Sequence, residues 1–241
     1  MKSTRRIRRR KQTRRHKKKG GKIIGTGQRG FVVDPPIACE GKDMTGYVSK
    51  IFNNKKVSMN VKARLEPVVA KLKDIDSGQK HFIYPEFCDT PGALTQENIT
   101  DGVDDNNKHW GYLMKKGGMT LHDYLLATPN RPMSNDAVVS FIKTNLNDVI
   151  ESVKLLHANN ILHNDLHLQN VLRMDDKTFR LIDFDDSFVI TEEEKQKQFR
   201  GWYSIPSDED IKNRELNSLI GDIVTRLNNK NPDAEYVIEK L

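Results

Sequence analysis

His163-Asn164-Asp165-Leu166-His167-Leu168-Gln169-Asn170 is followed, thirteen positions after Asn170, by Asp183-Phe184-Asp185. Two carboxylates and an amide thus recur at fixed spacing in one short stretch. Hard oxygen donors of this kind suit a divalent cation that keeps part of its water shell. A carboxylate within reach of a hydroxyl can take its proton as a new bond to phosphorus forms. The bland alternative is a polar turn closed by Asn and Asp side chains.

Upstream, Gly25-Thr26-Gly27-Gln28-Arg29-Gly30 spaces three glycines as G-x-G-x-x-G, with Val32 two positions on. Such a turn lets backbone approach phosphate without side-chain obstruction, although an ordinary hairpin would use it too. Strands are read at Lys22–Gly25, Phe31–Val33, Tyr47–Phe52, Phe82–Tyr84 and Trp110–Met114. Val61, Leu65, Val68, Val69, Leu72 and Ile75 fall at helical spacing. This predicts a small antiparallel sheet carrying one helix. After Gly117-Gly118 the chain turns helical. A short helix is expected over 121–126 and a long one from a Ser134 or Asn135 cap through Leu156. Short strands flank the motif, and a last helix covers 209–228.

Together these segments resemble the eukaryotic-type protein kinases over nearly all of 22–226, and most closely the compact kinases of large DNA viruses. The resemblance implies an α+β, kinase-like two-lobe fold: an N-lobe over 21–116 and a reduced, mainly helical C-lobe over 117–241, preceded by a basic tail, 1–20. It implies ATP with Mg²⁺ or Mn²⁺, and transfer of the γ-phosphoryl group to a hydroxyl, most simply a protein serine or threonine. Gly25, Gly27, Gly30 and Val32 would cover the phosphates. Lys50 would pair with them, and Met114, with Leu113, would present backbone to adenine. Asp165 would be the base, His167 a donor to the transferred group, and Asn170 with Asp183 the metal ligands. His163 reads as a scaffold residue. Glu66, the only acid in 53–73, would pair with Lys50. Pro67 beside it would then belong to the first turn of the helix.

The pattern also departs from the family. Asn164 stands for the arginine that docks a phosphorylated activation loop, so activity should not need such phosphorylation. His167 replaces a lysine, and D-L-H is similar to aminoglycoside- and choline-type phosphotransferases, which keeps a small-molecule substrate open. Asp185 replaces the glycine of D-F-G. No A-P-E follows, and 58 residues remain after Asp183. Asp222 is a candidate brace for the catalytic loop. A third reading is a pseudokinase acting through its tail.

Composition bounds the rest. Twelve of the first twenty residues are Lys or Arg, and the remainder carries 28 basic against 33 acidic residues. The tail could meet nucleic acid or an acidic partner, or serve only as an address or a solubilising segment. Residues 89–108 read as a polar surface loop. Cys39 and Cys88 lie far apart without a C-x-x-C, so neither a zinc site nor a disulfide is expected, and a reducing, intracellular setting is the default (host cytoplasm or nucleus, or virion). No apolar run approaches the ~20 residues of a membrane span.

Overall fold

The computed structural model describes residues 22–53, 55–88, 109–129, 131–201, 204–228 and 232–241. The basic tail and the 89–108 segment lie outside the described residues.

Four antiparallel strands pair in chain order: β1 (Lys22–Thr26), β2 (Gly30–Asp34), β3 (Tyr47–Phe52) and β4 (His109–Lys115). β3 is central and almost wholly buried, as a strand covered on both faces must be. Alternation sends Val48 and Phe52 into the main core and Ile51 into a smaller cluster with Phe31, Val33 and Ile37. Lys50 shares the face of Val48 and Phe52, which aims it at the cleft. At Gly30 a Cβ would lie 1.9 Å from the Ile51 carbonyl oxygen, so this glycine is required by the close approach of β3.

Helix α1 (Lys55–Ile75) packs Val61, Leu65, Val68, Val69 and Leu72 against the sheet and the rest of the core. It begins earlier than the apolar period suggests, so Pro67 stands inside the helix, not in its first turn. Pro67 is exposed, as is Ala63 one turn back, so water can take the carbonyl that proline leaves without a donor.

Residues 82–84 do not join this sheet. They form a strap: the Ile83 N–H donates to the Leu181 carbonyl at 2.9 Å, and Glu86 exchanges backbone hydrogen bonds with Leu113 at 2.8 and 2.9 Å. One end of the segment therefore belongs to each lobe. Cys39 and Cys88 form a disulfide, with Cα atoms 5.9 Å apart. This corrects the expectation from their 49-residue separation: the Glu86–Leu113 bridge brings the strap beside the β2–β3 connection, where Lys42 and Tyr47 also bind Glu86.

At Gly117 a Cβ would meet Leu172 Cδ1 at 2.3 Å, so the linker lies flush on the next layer. There β5 (Met119–Thr120), β7 (Val171–Arg173) and β8 (Phe179–Leu181) form a small sheet, and β6 (Ile161–Leu162) pairs with β9 (Phe188–Val189). Helix α2 (Leu121–Ala127) starts at a Thr120 cap. The long helix divides into α3 (Asn135–Asn145), capped by Ser134, and α4 (Asn147–Ala158). Asp148 explains the break: its carboxylate accepts from the Val149 N–H at 3.0 Å and the Phe179 N–H at 2.6 Å, competing with helix continuation. The apolar period survives because Val138, Ile142, Leu146, Val149, Val153 and Leu156 all reach the core. Helices α5 (Glu192–Gln198), α6 (Asp208–Leu227) and α7 (Ala234–Lys240) follow; α6 opens with a Ser207–Asp210 capping box. Among the described residues no helix is long and apolar enough to cross a membrane.

Candidate active site

A cavity of about 650 Å³ lies between the sheet and the helical part. The glycine turn 25–30, Val32, Lys50, Asp165, His167, Asn170, Asp183 and Asp185 line it. Residues separated by more than 130 positions thus share one space.

The segment 163–170 is held by its neighbours. His163 is fully buried; its Nε2 donates to the Ile182 carbonyl at 2.8 Å, and its ring rests on Phe184 at 4.9 Å. The Ser187 hydroxyl donates to the His163 carbonyl at 3.0 Å. The brace from the last long helix is Glu215, not Asp222. Glu215 Oε1 accepts from the Asn164 N–H at 2.6 Å, and Oε2 from the His163 N–H at 3.3 Å and His157 Nε2 at 2.9 Å. Asp222 is exposed. Glu215 was legible only as one acid among several on α6; its phase on the helix decides its role.

Asn164 and Asp183 both adopt left-handed backbone, at φ 63° and 61°. Asparagine tolerates this region better than most residues. At Asp183 the conformation is uncommon and marks a site where surrounding structure overrides local preference.

Asn170 is buried, and its amide nitrogen donates to the Asp165 carbonyl at 2.8 Å and to Asp165 Oδ2 at 3.3 Å. The same nitrogen lies 3.1 Å from His167 Nε2. His167 Nδ1 accepts from the Gln169 N–H at 3.3 Å, which fixes the ring beside Asp165. A cation would therefore use the amide oxygen of Asn170, the nitrogen being committed.

Lys50 is the electrostatic centre. Its Nζ lies 2.5 Å from Asp183 Oδ1 and 2.6 Å from Asp185 Oδ2, at 7% residue exposure. Burial pulls the ammonium pKa down, but the two carboxylates outweigh it and the net shift is upward. For Asp183, burial pushes up and Lys50 pulls down harder, so the carboxyl sits below its usual range. Asp185 goes the other way: burial, with repulsion from Asp183, lifts it despite Lys50. The Tyr112 hydroxyl donates to Asp185 Oδ1 at 2.7 Å, and burial beside these acids drives that phenol far up. Asp186 takes a two-pronged contact from Arg29 at 2.5 and 2.6 Å, and a third from Arg64 at 3.3 Å.

Two expected nucleotide contacts are not brought to the cavity. Glu66 points away from it: its side chain is 57% exposed and meets Lys62 at 3.8 Å, one turn back on α1. The helix phase that buries Leu65 and Val68 turns Arg64, not Glu66, toward the site. Met114 lies outside the cavity lining, buried in β4 opposite Val48. Both backbone groups of neighbouring Leu113 are spent on Glu86.

The donor set fits a nucleotide-borne cation. Asp183 and Asn170 offer hard oxygen ligands in one cleft, and Mg²⁺ commonly takes one or two such ligands plus phosphate oxygens. Among the described residues no three His, Cys, Asp or Glu side chains converge to hold a metal unaided.

Comparison with known proteins agrees with this geometry. Residues 103–220 match the model of the protein kinase domain. The chain is 37% identical over 89 residues to the liver/testis isoform of the phosphorylase b kinase gamma catalytic chain from Homo sapiens, and equally to that from Mus musculus. The aligned stretch is 37% of this chain and 20% of each relative. The chain has a protein kinase-like two-lobe fold, and its residues 103–220 are similar to the protein kinase domain.

Proposed function

We propose that this chain is an ATP-dependent phosphotransferase that moves the γ-phosphoryl group to a hydroxyl, with protein serine or threonine as the acceptor. The observation carrying this reading is the single cleft shared by Lys50, Asp165, Asn170 and Asp183 beneath the glycine turn.

In this reading the backbone of Gly25 and Gly27 approaches the phosphates, and the Lys50 ammonium neutralises charge on them. Asp183 and the Asn170 amide oxygen would hold Mg²⁺ or Mn²⁺, which would supply charge neutralisation across the phosphate oxygens. Asp165 Oδ2, steadied by Asn170, accepts the acceptor hydroxyl's proton as the bond to phosphorus forms. His167 sits 3.8 Å from the same carboxylate and can donate toward the transferred group. Asn164, in place of arginine, leaves no docking cation there for a phosphorylated loop, which supports activity without that modification.

A small-molecule acceptor is the second reading. A separate hollow of about 400 Å³ abuts Asp165 and His167 and reaches Phe199, Ile211 and Arg214. It would suit a compact alcohol. The H-N-D-L-H loop and the basic leader support the likeness to kinases of large DNA viruses; the leader's partner would be nucleic acid or an acidic protein. Incubation with labelled ATP, Mg²⁺ and a panel of basic proteins and small alcohols distinguishes the two acceptors by where the label appears. Label that stays on ATP throughout overturns both.

A further inference from the structure

We propose that Asp185 is the positioning residue for Lys50, doing from the D-F-D-D segment what a helix carboxylate was expected to do. The inference deepens the phosphotransferase reading and rests on it for its consequence in turnover. Its structural core stands on geometry alone.

A nearly buried ammonium needs a fixed counter-charge, because uncompensated burial of charge is costly. Helix α1 supplies none: Glu66 faces solvent, and the residue it turns inward is Arg64. Among the described residues Lys50 has two carboxylate neighbours, Asp183 and Asp185. Asp183 is the candidate metal ligand, so its charge would be shared once nucleotide and cation are bound. Asp185 has no such second duty.

Asp185 is also held in place. Tyr112, directly opposite Lys50 in the β3–β4 register, donates to Oδ1, which leaves Oδ2 facing the ammonium. Phe184 before it is fully buried against Phe82 and His163. Arg64 donates to the Asp185 carbonyl oxygen, and Arg64 and Arg29 both contact Asp186. Three cations from the glycine turn, β3 and α1 therefore converge on three carboxylates of one short segment. The polarity is inverted relative to a lysine–glutamate pair: here the helix brings the cation and the loop brings the acid. Glycine at 185 would leave Lys50 with Asp183 alone and strand the Tyr112 hydroxyl in the core.

The test combines two readouts on wild type, Asp185→Asn, Tyr112→Phe and Glu66→Gln. Without nucleotide, the acetylation rate of Lys50 by acetic anhydride is followed by mass spectrometry. Asp185→Asn should quicken it about tenfold, because the counter-charge itself is lost, and Tyr112→Phe about threefold, because the carboxylate keeps its charge and loses only the hydrogen bond that orients it. Glu66→Gln should match wild type. In steady state, Asp185→Asn should raise the KM for ATP by about tenfold, more than it lowers kcat, and Asp185→Glu should recover part of that loss. If Asp185→Asn does not fold, Tyr112→Phe carries the test, since it keeps the ring in the core. Equal labelling in wild type, Asp185→Asn and Tyr112→Phe, or a Glu66→Gln rate as high as that of Asp185→Asn, overturns the proposal. The predicted labelling pattern in a protein that transfers no phosphate upholds the role of Asp185 and sinks the functional reading alone.

Discussion

Replacing Glu215 by glutamine tests how the catalytic segment is held. The wild-type carboxylate accepts three hydrogen bonds, from the His163 and Asn164 N–H groups and from His157 Nε2, at 7% side-chain exposure. Glutamine keeps the volume but has one acceptor oxygen. Its amide nitrogen must face a donor on one side or the other. Turning it toward Asn164 is the cheaper choice, since that residue is exposed. One orphaned donor costs ~1–3 kcal/mol, and the remaining bonds lose their charge assistance, for a total of about 2–4 kcal/mol. In a chain of this size that lowers Tm by roughly 5–15 °C. Asp165 adjoins the released backbone, and a displacement approaching 1 Å costs up to about a hundredfold in kcat. Calorimetry and steady-state kinetics on the same preparation read both effects. A variant with unchanged Tm and kcat would refute the assignment of Glu215 as the brace.

Three further outcomes are expected. Gly30→Ala places a methyl against the Ile51 carbonyl and should destabilise by ~1–3 kcal/mol or more as β2 and β3 splay; a wild-type denaturation midpoint contradicts it. The Tyr47 phenol, raised to about 12 by burial and its hydrogen bond to Glu86, should titrate well above the ordinary value near 10. Its contribution to stability is intact below the ordinary value near 10 and drains away as pH rises through 12, so a ring resonance absent in Tyr47→Phe that shifts near pH 10 would show the contact is absent. Asp183→Asn should raise the Mg²⁺ concentration for half-maximal turnover at least ~10-fold, and an unaltered metal requirement counts against that ligand.

Much of the fold could be read from local pattern. Alternation marked β3, the 3.6 period marked most of α1, and the spacing of Asp165, Asn170 and Asp183 identified the loops that meet in the cleft. What could not be read depends on phase and on contacts between distant segments. Glu66 looked right as the only acid in its stretch, but the core face of α1 fixes the rotation and turns Arg64 inward. The strap at 82–86 has strand composition, yet it pairs with Leu181 and Leu113 in different lobes. The Cys39–Cys88 bond follows from that strap and not from cysteine spacing. Helix α5, Glu-Glu-Glu-Lys-Gln-Lys-Gln, has no apolar period to detect; its Thr191 cap and acidic first turn set where it begins.

In the proposed function one cleft performs phosphoryl transfer through Asp165. Its most direct measurement is single-turnover transfer from γ-labelled ATP by wild type and Asp165→Asn, with melting curves of both. The variant's rate should be lower by about 10²–10⁴, with Tm close to wild type. Equal rates in the two proteins would contradict it.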